Sequence, residues 1–175
     1  MKYKILLLTV SFLLFTTSAN ASPFSHKGVE QVNTPLYEES CGECHFAYQP
    51  GLLPARSWRK MMLPESLENH FGENAELPEG DRLEVLNFLV EYAAENSFYK
   101  RSVKIARSLK ADETPLKITE VPYIKRKHYE IPAKMITGNK DVRLLSNCNA
   151  CHTDAKKGSF DDDGVLIPNF GYWDD

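Results

Sequence analysis

Two five-residue units carry the chemistry of this sequence: Cys41-Gly42-Glu43-Cys44-His45 and Cys148-Asn149-Ala150-Cys151-His152. They use all four cysteines of the 175-residue chain. A C-x-x-C-H unit reads as a covalent haem attachment site. Two residues between the cysteines let both sulfurs reach the vinyl groups on one edge of a haem. The following histidine then lies beneath the iron as its proximal ligand. A thiol-redox CxxC needs no histidine after it, and structural zinc sites space their second ligand pair further along the chain. Neither alternative explains the same unit twice. The expected cofactor is therefore haem c, two per chain, attached at Cys41, Cys44, Cys148 and Cys151, with His45 and His152 on the irons.

Each iron has a sixth position, and its occupant decides what the protein can do. Methionine raises the potential relative to a second histidine, and an open site permits ligand chemistry. The remaining histidines are His26, His70 and His128; Met61, Met62 and Met135 are the methionines beyond the leader. His70 follows the first unit and precedes a helix, and His128 precedes the second at the end of a short helical turn from Pro122. Each unit thus has one spare histidine within reach, and these two are the candidate distal ligands. A lone histidine is also a common surface or satisfied core residue, so that alternative stays open from spacing alone. His26 falls in the N-terminal lead-in, and the adjacent Met61 and Met62 read as packing residues.

The elements that position these groups begin after a leader. Lys2 and Lys4 precede an apolar stretch from Ile5 to Phe15, and Ala19-Asn20-Ala21 supplies small residues for cleavage. This predicts a signal peptide over residues 1–21. The apolar stretch is too short to span a bilayer, which takes about 20 residues. The chain is then expected in the periplasm, with no membrane span after cleavage. Losing two lysines leaves 19 basic against 24 acidic residues, a formal −5, which argues against nucleic-acid binding. Ten prolines and a mean hydropathy of −0.40 describe a loop-rich chain with a thin core of its own.

The expected fold is mainly α with much irregular loop, built as two small haem domains over residues 22–115 and 116–175. Residues 22–33 read as a flexible lead-in. Asp81 to Glu84 fits a capping box, and Leu83, Leu86, Leu89, Val90 and Ala93 recur at helical spacing, predicting a helix over 81–96. Basic residues over 98–110 suggest a solvated face, haem-propionate partners or a docking patch for an acidic redox protein. Residues 111–121 read as a linker. Asp141 is expected to cap a short helix through Leu145. The run Asp161 to Asp163 reads as a solvated turn, with a calcium site as the alternative.

Several segments resemble the bacterial dihaem cytochrome c family, the group that includes the electron donor to a small oxygen-binding monohaem cytochrome. They are the block from Tyr37 to Pro54, then Ser57-Trp58, His70-Phe71-Gly72, Ile118-Thr119-Glu120 and Lys127-His128. The resemblance implies bis-histidine ligation, with His70 serving the first haem and His128 the second. It also implies an N-terminal domain like that of class I cytochromes and a smaller, irregular C-terminal one.

With both spheres closed the expected role is electron transfer between redox partners, not catalysis. A quinol-linked donor and a small monohaem cytochrome are the expected partner types. The alternative is a small dihaem enzyme, a peroxidase or reductase, with one open iron. The small dihaem subunit of a periplasmic nitrate reductase shares paired CxxCH units, but the block from Tyr37 to Pro54 speaks against it.

Overall fold

The structure, a computed structural model, describes residues 26–173. The expected leader over residues 1–21 lies outside them. Among the described residues, seven short α-helices carry the chain, with 3₁₀ turns between them and one two-stranded ribbon: α1 Pro35–Gly42, α2 Ala55–Met61, α3 Pro64–Glu68, α4 Glu79–Glu91, α5 Lys100–Ser108, α6 Pro122–His128 and α7 Cys148–Cys151. The ribbon pairs β1 (Leu166–Ile167) antiparallel with β2 (Gly171–Tyr172). Among the described residues no helix is long and apolar enough to cross a membrane.

Local chemistry sets where these elements start. Thr34 caps α1, its hydroxyl accepting from the Tyr37 amide at 3.1 Å, and Pro35 opens the first turn, where its missing N–H costs nothing. Pro64 and Pro122 open α3 and α6 in the same way. Around α2 and α4, which pack together, the core gathers Leu52, Leu53, Trp58, Met61, Val85 and Leu89, all buried. Trp58 satisfies its indole N–H on the Pro50 carbonyl at 2.8 Å, as a buried indole must. The same apolar cluster continues through Ile105 of α5 to Val121, Tyr123, Ala155 and Phe160. One core therefore underlies both CxxCH units.

Three expectations about elements change. The helix predicted over 81–96 runs from Glu79 to Glu91, so Asp81 lies inside its first turn and does not cap it. Glu79 and Asp81 instead face the positive helix start. The helix stops because Ala93 turns extended and the Ala94 amide bonds the Leu53 carbonyl at 3.0 Å, which ties this buried pair to the loop before α2. The helix expected from Asp141 to Leu145 does not form. Arg143 has φ of +66°, incompatible with a right-handed helix, and the Asn139 side chain accepts from the Asp141 amide at 3.1 Å, which makes a turn.

The lead-in is packed from residue 28 onward, not free. Val29 is buried and its amide bonds the Gly158 carbonyl at 2.9 Å. A Cβ on Gly28 or Gly158 would meet backbone oxygen at 2.3 Å, and both have positive φ. Two glycines let the N-terminal segment lie directly on the loop that follows the second CxxCH unit.

Candidate haem sites

The first unit begins on a helix and ends in a turn. Cys41 sits near the end of α1, and Cys44 and His45 follow it in an exposed turn. The His45 ring directs Nδ1 at the Phe46 carbonyl, 2.8 Å away, which leaves Nε2 for a metal. Facing it is His70, with ring centres 6.2 Å apart and planes inclined at 23°. A tight turn holds His70. Its amide donates to the Glu73 carbonyl at 2.7 Å and its carbonyl accepts from the Glu73 amide. Phe71 (φ +56°) and Gly72 (φ +105°) occupy the two central positions, both left-handed as a two-residue hairpin requires. The Phe71 ring meets His70 edge-on at 4.8 Å.

The second unit is a single helical turn. Cys148 and Cys151 open and close α7, and a spacing of three puts both on one helix face. His152 follows, bridged to Val165 in extended backbone and flanked by the Phe160 ring at 5.4 Å. His128 closes α6 with Nδ1 on the Ile124 carbonyl, 2.8 Å away. The His128 and His152 ring centres are 6.1 Å apart, with planes at 76°. Between them opens a cleft with about 1020 Å³ of empty space, solvent at its mouth included, walled by Tyr123, Ile131, Ile136, Val142, Phe160 and Ile167 among others.

These separations are what two imidazoles on one iron need. A metal–imidazole bond of about 2 Å on each side, with each ring centre about 1 Å behind its nitrogen, places the centres about 6 Å apart. At His70 and His152 the electrostatics agree with neutral, metal-binding imidazoles. Burial first, then the His128 charge, holds His152 down at about 4. Burial and the neighbouring His45 lower His70 likewise. Burial pushes the Cys41 and Cys148 thiols up to about 11 and raises Cys151. Such thiols are poor thiolates for disulfide exchange or zinc, and no disulfide joins any of the four. The donor set therefore suits haem c.

His26 joins neither pair; it is exposed and stacks on Tyr99 at 4.9 Å. Met61 and Met62 are buried in the core, whereas Met135 lines the second cleft. Asp161 and Asp162 engage Arg101 and Lys127. Two residues that sequence reasoning did not single out matter here. Tyr48 tilts against His45 at 5.1 Å and bonds the Ser146 carbonyl near the second unit. Arg101 lines the second cleft. The first lay inside the block from Tyr37 to Pro54 and the second inside the basic segment, but no local pattern distinguishes either from its neighbours.

Helices with little sheet, two CxxCH units and a facing histidine for each define a small cytochrome with two covalent haem sites. Residues 37–160 match the dihaem cytochrome c family, and the chain belongs to it. It carries two covalently bound c-type haems. The structure is similar to the diheme cytochrome type c of Shewanella baltica OS155, with 40% identity, a TM-score of 0.65 and coverage of 80% of this chain and 97% of that one. It is also similar to the diheme cytochrome c of Rhodobacter sphaeroides, with 43% identity, a TM-score of 0.64 and coverage of 76% and 99%. Comparison with curated proteins gives no match.

Proposed function

We propose that this protein is an exported electron carrier whose two haem irons are both six-coordinate and bis-histidine. His45 and His70 hold the first, and His152 and His128 the second. The observation that carries this reading is the pair of ring separations, 6.2 and 6.1 Å, each joining a CxxCH histidine to one distant in sequence. Haem iron supplies a one-electron couple when bound. The chain's part is to close both faces of that iron, tether its edge through cysteine and surround it with apolar side chains. A closed sphere leaves no place for substrate and changes little on reduction, which suits transfer and not catalysis.

The domain division at residue 115, the leader over 1–21 and a periplasmic location belong to the same proposal. The division follows the two haem units, although one core runs beneath them. Redox partners are the expected ligands of the surface. A quinol-linked donor and a small oxygen-binding monohaem cytochrome are the partner types that the family resemblance suggests.

The test is carbon monoxide. The reduced protein should keep its low-spin spectrum under CO. Rapid CO binding at either haem would instead support the alternative, an enzyme with an open iron. His70→Ala and His128→Ala should each convert one haem to a high-spin, CO-binding form and leave the other unchanged.

A further inference from the structure

The second haem cleft meets a polar cleft at one corner, and Arg101 stands in both. Its backbone is fixed on α5, where its amide bonds the Gly28 carbonyl at 2.9 Å. The side chain is 14% exposed. Nη1 donates to the Tyr123 hydroxyl at 3.1 Å. Nη2 lies 3.9 Å from Asp161, a loose ion pair. Nε is buried without a hydrogen-bond partner. A buried, charged donor left open is costly, and a guanidinium fork with free N–H groups is shaped for a carboxylate.

The charge around it points the same way. The polar cleft is lined by five cations, Lys27, Lys100, Arg101, Lys104 and Lys127, against the three carboxylates Asp161 to Asp163. The surplus of two positive charges equals the charge of two haem propionates. The rest of the haem cleft is largely apolar, so this corner is where the carboxylate edge of a haem finds counter-charge.

We infer that Arg101 is the propionate anchor of the second haem, a positioning residue that orients that haem and raises its reduction potential. The inference rests on the second haem lying between His128 and His152. Anchoring by a buried cation favours the reduced iron, because reduction adds negative charge beside it.

The test uses the purified holoprotein with both haems attached. A potentiometric titration followed by EPR resolves the two haems. Arg101→Gln should lower the potential of the second haem by about 59 mV, a tenfold change in its reduced-to-oxidised ratio, with the first haem unmoved. Lys60→Gln on α2 removes the same charge elsewhere and should move neither. Should Arg101→Gln fail to accumulate, Arg101→Lys is read by resonance Raman. Loss of the fork should shift the propionate bending band of the second haem. Unchanged potentials in Arg101→Gln, or an unchanged band in Arg101→Lys, overturn the inference. Failure of the ligation reading is separate, because it would show as a high-spin second haem in the unsubstituted protein.

Discussion

The Tyr48 hydroxyl donates a 2.7 Å hydrogen bond to the Ser146 carbonyl, joining residues 98 apart in sequence. The same ring tilts against His45 at 5.1 Å. The Tyr48 carbonyl in turn accepts from the buried Tyr37 hydroxyl at 2.6 Å. Burial, with the Cys148 thiol nearby, raises Tyr48 to about 12, so it remains a donor at any physiological pH. One side chain thus links the histidine of the first CxxCH unit to the segment that enters the second. Gln49 reinforces this seam, accepting from the Val32 amide at 2.9 Å and donating to the Lys156 carbonyl at 3.2 Å.

Tyr48→Phe should therefore destabilise the protein by about 1 kcal/mol, the net worth of one hydrogen bond whose carbonyl partner is left behind. Tyr48→Ala removes the half-buried ring as well and should cost more, about 2–3 kcal/mol in all. Urea denaturation of the two variants checks both values. A Tyr48→Phe variant as stable as the parent would show that water replaces the bond freely.

Gly72→Ala should loosen His70. Space is not the obstacle, since a Cβ there meets nothing within 4 Å. Its φ is +105°, and a left-handed position costs an L-residue about 1–2 kcal/mol. The turn that aims His70 is the element that relaxes. A partial high-spin signal at the first haem, seen by absorbance and EPR, is the expected outcome.

Acid should release the second haem's histidine late. A histidine whose folded pKa is depressed keeps its lone pair as pH falls below the usual value of about 6.5. The folded state then binds fewer protons than the unfolded one between that value and about 4, where His152 lies. Stability gained from this group rises with pH across that window and is lost as pH falls through it. Iron on the imidazole nitrogen adds to this bias against the proton, so the low-spin spectrum should persist from neutral pH to at least about 5. Conversion to high spin at pH 6 would contradict it.

The imidazole planes predict two different ferric signals. At 23°, the first pair acts on the iron d orbitals along nearly one axis, splits them widely and should give a rhombic low-spin EPR spectrum. At 76°, the second pair nearly cancels that splitting and should give a strongly anisotropic signal. Two identical rhombic signals from the oxidised protein would mean that the second pair turns on binding iron.

Much of the covalent chemistry is legible in the sequence because it is local. A cysteine, two residues, a cysteine and a histidine put both sulfurs and the proximal imidazole within one turn of chain, whatever surrounds them. Likewise Pro122 sets the start of α6, and with it the direction in which His128 points. Elements that depend on distant partners were less legible. The end of α4 is set by Leu53, the loop from Asn139 to Leu144 by side chains that bond backbone, and the lead-in by its contact with Gly158. The pattern of apolar residues continues past Glu91, so periodicity could not find that stop.

By itself, then, the sequence determined the number of haems and the cysteines that bind them, since these follow from spacing over five residues, and it carried the family likeness in the longer block from Tyr37 to Pro54 and the segments after it. The pairing of His70 with the first unit and His128 with the second was an expectation from the sequence; only the tertiary structure gave the distance and ring angle at which each pair faces. Those relations join residues from different elements, and they depend on how the shared core packs the elements together. The same packing gave Tyr48 its place between the two units and brought Arg101 to the corner of the second cleft.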